Sequence, residues 1–132
     1  MENHHVSAHI RTIKYKTEIT AGNHKLTADE SITDGGGDAG PNPGQLLASS
    51  LAACSSITMR MYADRKGWPL EEIIVHVDFD RNIATNSTVF TKKITLTGNL
   101  DDVQKKRLYE IADKCPIHRV LTGTISIDTE TL

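Results

Sequence analysis

The sequence predicts an α+β fold with a mostly antiparallel sheet. Apolar and polar residues alternate in residues 10–18, 25–32, 72–80, 89–97 and 123–131, the period of half-buried strands. Residues 45–66, and the stretch from Asp101 to Cys115, instead carry apolar residues at helical spacing. The resulting order is strands, helix, two strands, helix, strand. At 132 residues the chain is expected to form a single domain, 1–132, able to bury about two-thirds of its unfolded surface.

The first strands, 10–18 and 25–32, meet at the turn signal Ala21-Gly22-Asn23-His24. Residues 34–44 hold five glycines and two prolines and read as a loop. Pro41 and Pro43 are expected to hold off helix before Gly44. The first helix, 45–66, places Leu47, Leu51, Cys54, Thr58 and Met61 on one face. Small or apolar residues nearly all round mark it as buried. Gly67 suits the residue just past its end, and Pro69 stops continuation. In residues 72–80, Ile73, Val75, Val77 and Phe79 share one face, and 89–97 is the expected antiparallel partner. Asp101 and Gln104 have the spacing of a capping box at the start of the second helix. Leu108, Ile111, Ala112 and Cys115 form its apolar stripe. Residues 123–131 are expected to close the fold as a strand, with Ile125 and Ile127 inward.

Composition excludes several function classes. Lys plus Arg is 15 and Asp plus Glu is 17, so the net charge is −2 and there is no basic footprint for nucleic acid. One Trp argues against a base-stacking surface. The uncharged stretch 40–59 contains two prolines, Gln45 and five Ser or Thr residues, which suits a buried helix and not a membrane span. Met-Glu-Asn-His-His at the start lacks the basic and apolar regions of a secretory signal. Two cysteines are too few for a secreted disulfide scaffold. The expected location is cytoplasmic, where thiols stay reduced.

The chemistry-bearing residues are Cys54 and Cys115, which only the fold could bring together. If they meet, they outline a two-cysteine redox site; if not, they are ordinary buried thiols. Cys54 lies between two and three turns inside its helix, beyond reach of the helix dipole, so a reactive Cys54 needs a cation or donor from elsewhere. Arg119 is a candidate cation and His118 a candidate proton partner; Arg11, Lys14 and Lys16 are rivals. Cys115, read as lying at a helix C-terminus that disfavours a thiolate, suits a resolving thiol. Gly35-Gly36-Gly37-Asp38-Ala39-Gly40 spells a dinucleotide fingerprint, but Pro41-Asn42-Pro43 follows where a helix should open, and it reads as a loop. Cys54, Cys115 and His118 could supply three metal ligands, but no fourth is evident, so neither metal nor organic cofactor is expected.

The two cysteine neighbourhoods resemble the OsmC/Ohr family of organic hydroperoxide reductases. Gly40-Pro41-Asn42-Pro43 through Leu51-Ala52-Ala53-Cys54 is similar to that family's first cysteine helix. The stretch from Ile57 through Gly67-Trp68-Pro69-Leu70-Glu71 resembles the OsmC-like, YhfA-type branch, and Ile111 through Cys115-Pro116-Ile117-His118-Arg119 resembles the second cysteine motif. The resemblance implies an intertwined homodimer whose sheets wrap the cysteine-bearing helices. It also implies Cys54 as the peroxide-attacking cysteine and Cys115 as the resolving one. Where strongly active members carry a Glu after the proline, this chain has Gly44 and then Gln45. Gln45 and Arg119 are the candidates for tuning the thiolate, and Arg11 matches the family's catalytic Arg only loosely. The resemblance implies a thiol-dependent peroxidase acting on organic hydroperoxides in oxidative-stress defence, through a sulfenate and then a disulfide, with an external dithiol as reductant. The alternative is a small-molecule-binding or redox-sensing dimer of the same fold with little peroxidase activity.

Overall fold

The computed structural model describes residues 3–132; Met1 and Glu2, part of the stretch read for a leader signal, lie outside them. The chain divides into two compact units, a first ending at Leu47 and a second over Ala48–Leu132.

The first unit carries a three-stranded antiparallel sheet of β1 (Ser7–Ile10), β2 (Thr17–Ala21) and β3 (His24–Ala28), in that order. Two residues, Gly22 and Asn23, join β2 to β3, and Gly22 takes the positive φ of 62° that the tight turn requires. The expected strand 10–18 is corrected: residues 11–16 lie outside the strands, and Ile10 and Thr17 pair across the connection. Beyond β3, the glycine-rich segment wraps a buried carboxylate. Asp29 accepts hydrogen bonds from the backbone N–H groups of Tyr15 (3.0 Å), Glu30 (2.7 Å), Gly37 (3.3 Å) and Ala39 (3.1 Å). Burial alone would raise its pKa. The four N–H donors outweigh burial and hold it below the ordinary value. The loop's donors therefore close on the chain's own anion. A Cβ at Gly36 would collide with the Glu30 carbonyl, and one at Gly40 with that of Thr27. Asp29→Asn replaces one acceptor oxygen with a donor facing N–H groups. It is expected to lower the melting temperature at neutral pH and to lessen the loss of stability expected of wild type below about pH 4; thermal melts across pH 3–7 measure both.

α1 spans Pro43–Lys66. It starts two residues earlier than the sequence suggests, because Pro43 occupies the first helical position, where a missing N–H costs nothing. Asn42 and Gln45 cap each other: Gln45 N–H donates to Asn42 Oδ1 at 2.8 Å, and Asn42 N–H donates to Gln45 Oε1 at 2.9 Å. At the far end Trp68 N–H bonds Ala63 O at 2.9 Å and Gly67 N–H bonds Asp64 O at 3.2 Å, with Gly67 at φ 67°.

The second unit continues with a long hairpin, β4 (Leu70–Asn82) and β5 (Ser87–Gly98), and two helices, α2 (Asp102–Ala112) and α3 (Pro116–Thr122). In the antiparallel register Ile73 faces Leu96, Val75 faces Ile94, Val77 faces Lys92 and Phe79 faces Phe90. These eight form the half-buried face of the hairpin, and the Phe79 and Phe90 rings stack at 4.8 Å. Asp101 and Gln104 form the expected capping box of α2. The core joins Met59 and Ala63 of α1, Leu70, and Leu108, Ile111 and Ala112 of α2.

The structure corrects three expectations here. The buried face of α1 is Leu51, Ser55, Met59 and Ala63, while Leu47 and Met61 are exposed, so the expected stripe through Cys54 is not the core face. Pro116 opens α3 instead of ending the helical region, and α2 stops at Ala112. Residues 123–131 form no strand within the chain, and Ile125 and Ile127 are exposed.

Candidate active site

Both cysteines are free, and the fold brings them together. Cys54 lies half-buried on α1, where Thr58, one turn on, donates its hydroxyl to the Cys54 carbonyl at 2.8 Å. Cys115 lies between α2 and α3 with no exposed surface. The two thiols are near enough to perturb each other's ionisation. Cys115 is the N-cap of α3, so the expectation of a helix C-terminus is corrected. Its sulfur accepts from His118 N–H at 3.4 Å, the orientation that favours a thiolate.

A buried polar cluster surrounds Cys115. Ser55, also fully buried, places its hydroxyl 3.4 Å from Cys115 Sγ and 3.4 Å from the Ala112 carbonyl. Lys92 reaches in from β5 with its side chain 9% exposed. Its ammonium donates to Ser55 Oγ at 3.2 Å and to Ala112 O at 2.9 Å, the latter capping a carbonyl at the end of α2. It also contacts His118 Nδ1 at 3.1 Å and Asp113 Oδ1 at 3.1 Å. His118 Nδ1 lies 3.9 Å from Asp113 Oδ1.

The two thiols feel these surroundings oppositely. Burial pushes Cys54 up. The Ile117 N–H and the Thr58 side chain oppose this, but Cys115 adds to the rise, and Cys54 stays above the ordinary thiol value. Burial pushes Cys115 up as well. Hydrogen bonds from Ser55, the His118 N–H and Cys54, together with the Lys92 charge, outweigh it and hold Cys115 below the ordinary value.

The tuning candidates fall elsewhere. Arg119 is exposed on α3, and its backbone N–H bonds the Cys115 carbonyl at 3.2 Å. Gln45 engages its side chain in the cap of α1. In the first unit, Arg11 lines an open groove with His9, Ile13, Lys16, Glu18 and Thr27. Lys92, which sequence reasoning missed, is the cation that reaches the thiol network. The signal was present: Phe90, Lys92, Ile94 and Leu96 alternate onto one strand face, and a lysine there must find buried partners. Among the described residues no cluster of three or more His, Cys, Asp or Glu could hold a metal ion.

Two cavities adjoin the cluster. One, of about 330 Å³, is lined by Leu51, Phe90 and Leu121, with Thr88, Thr122, Lys92 and His118 adding polar groups. The other, of about 500 Å³ and more open, lies among Thr58, Met61, Asp64, Arg65 and Pro116. Among the described residues no helix is long and apolar enough to cross a membrane.

A family model described as OsmC-like protein matches residues 35–130. No curated protein matches the chain. Among solved structures, an OsmC-like protein from Mycoplasma pneumoniae superposes with a TM-score of 0.79 at 17% identity, covering 92% of this chain and 89% of that one. The organic hydroperoxide resistance protein OhrB of Bacillus subtilis superposes at 0.63 and 20% identity, covering 92% of each chain. An organic hydroperoxide resistance protein from Legionella pneumophila, also described as a predicted redox protein, superposes at 0.61 and 23% identity, covering 93% of this chain and 91% of that one. These likenesses show the α+β fold with antiparallel pairing that the sequence predicts.

Proposed function

Because the chain belongs to the OsmC-like family, we propose that it is a thiol-dependent peroxidase that reduces organic hydroperoxides through a two-cysteine cycle. The observation that carries this reading is the paired thiols, one partly exposed and the other wholly buried. Solvent access makes Cys54 the thiol a peroxide meets. Its sulfur attacks the terminal peroxide oxygen and becomes a sulfenic acid, with an alcohol as the other product. Cys115, the neighbouring thiol, then attacks that sulfur to form the disulfide. An external dithiol, in a reducing cytoplasm, restores both thiols. The cycle needs no metal or organic cofactor. The groove at Thr58, one turn along α1 from Cys54, with Met61 and Pro116, gives an alkyl group a candidate place.

The working unit in this reading is a homodimer of single-domain chains. Leu47, Ile57 and Met61 of α1 are exposed at 42%, 53% and 61%, which a second copy would cover. The alternating segment 123–131 finds no strand partner among the described residues and could pair with another chain. The family match crosses the boundary between the two compact units, which supports one domain. Light scattering at micromolar concentration is expected to give twice the 14.5 kDa chain mass; a monomer would contradict the assembly.

Gly44, standing where the resemblance implies a carboxylate, favours the second reading, a binding or redox-sensing dimer. The 330 Å³ cavity gives that reading a ligand site. Steady-state assays with cumene and tert-butyl hydroperoxides and a dithiol separate the two. Turnover supports the peroxidase, and binding without turnover supports the sensor.

A further inference from the structure

We propose that Lys92, acting through Ser55, is the positioning cation of the thiol pair: it keeps the pair's negative charge on Cys115, and Cys115 takes the proton of Cys54 as Cys54 attacks. This rests on the two-cysteine reading and gives Cys115 a second task, before its role as resolving thiol. Ser55 can donate its one proton to the Ala112 carbonyl or to Cys115 Sγ, each at 3.4 Å. Lys92 already donates to that carbonyl at 2.9 Å and to the Ser55 oxygen at 3.2 Å. With the carbonyl served and the hydroxyl oxygen accepting, the Ser55 proton is directed to the sulfur. The charge thus reaches Cys115 through a fully buried hydroxyl, where its field is little screened.

The groups facing the pair come from four elements: Cys54 on α1, Lys92 on β5, Asp113 just past α2, and His118 on α3. Asp113 and His118 both contact the ammonium, and their contacts fix where it sits. Of these groups, His118 reaches the Cys115 sulfur through its backbone N–H, Lys92 through Ser55, and Cys54 is the neighbouring thiol.

The atoms balance. The Cys54 S–H gives its proton to the Cys115 thiolate as the Cys54 sulfur bonds the terminal oxygen of the hydroperoxide. The O–O bond breaks, and the leaving alkoxide takes that proton from Cys115 to become the alcohol. Cys115, again a thiolate, attacks the sulfenic sulfur; the S–S bond forms, the S–O bond breaks, and hydroxide leaves. Two thiol sulfurs are oxidised by two electrons in total, and the hydroperoxide is reduced by two.

Two readouts test this without any peroxide. The first is thiolate absorbance near 240 nm in Cys54→Ser protein, which follows Cys115 alone. Lys92→Gln and Ser55→Ala are each expected to raise its midpoint by about one to two pH units, and Lys92→Arg to restore most of the shift. The second is alkylation of Cys54 by iodoacetamide. In the two-thiol protein its rate should level off once Cys115 has ionised. In Cys115→Ser it should instead climb about tenfold per pH unit through neutrality. Coinciding alkylation profiles would overturn the proton transfer, and a Cys115 midpoint unmoved by both Lys92→Gln and Ser55→Ala would overturn the role of Lys92. Failure of peroxide turnover would strike only the peroxidase reading, because neither readout uses a peroxide.

Discussion

Cys54→Ser is expected to abolish peroxide turnover, while Cys115→Ser consumes about one equivalent of peroxide per chain and then stalls. The asymmetry follows from access. Cys54 is half-buried, and Cys115 has no exposed surface. Without Cys54, the remaining thiolate is held by Ser55 and the His118 N–H behind the protein surface. Without Cys115, Cys54 still forms a sulfenic acid, more slowly near neutrality because its proton has lost its acceptor, and nothing resolves it. Further peroxide then drives it to the sulfinic state. Single-turnover consumption with sulfenate trapping measures both variants. A sulfenate trapped on Cys115 in the Cys54→Ser protein, with full peroxide consumption, would reverse the assignment.

The second large effect is on stability. Leu108 is fully buried in the core formed by α1, α2 and Leu70. Leu108→Ala is expected to cost about 2–5 kcal/mol, the range for a buried leucine truncated in a packed core. That is a large share of the roughly 5–15 kcal/mol typical of a domain. Urea denaturation should show a lower midpoint with little change in slope. Because α2 carries Ala112, whose carbonyl anchors Lys92 at 2.9 Å, the same variant should also weaken the hold on Cys115. An unchanged midpoint would mean the core closes elsewhere.

Local signals made much of the fold legible. Asp101 and Gln104 cap α2 as their spacing suggests, and Gly67 ends α1. The alternation from Ile73 to Phe79 marks the inward face of the hairpin. Less legible were features decided by packing. α1 is small or apolar on nearly every side, so its sequence could not say which face meets α2, and the core chose Leu51, Ser55, Met59 and Ala63. Proline can stop a helix or open one. Pro43 and Pro116 both open one, and for Pro116 this reversed the helix end on which Cys115 sits. The segment 123–131 has the pattern of a strand, but pattern alone does not supply a neighbour to pair with. The two cysteines were legible as a pair of interest, whereas the cation beside them was not. Arg119 is near Cys115 in sequence and points attention to itself. Lys92 comes from a different element, 23 positions before Cys115, and only the strand register turns it inward.

The two-cysteine cycle is tested most directly by mapping thiols after one equivalent of cumene hydroperoxide. The reduced protein is treated, the remaining thiols are alkylated, and peptides are separated without reductant. The account predicts loss of both thiols in each chain and one peptide pair joined through Cys54 and Cys115 within the chain. Two alkylated cysteines after the peroxide has been consumed, or a disulfide joining Cys54 residues of two chains, would contradict it.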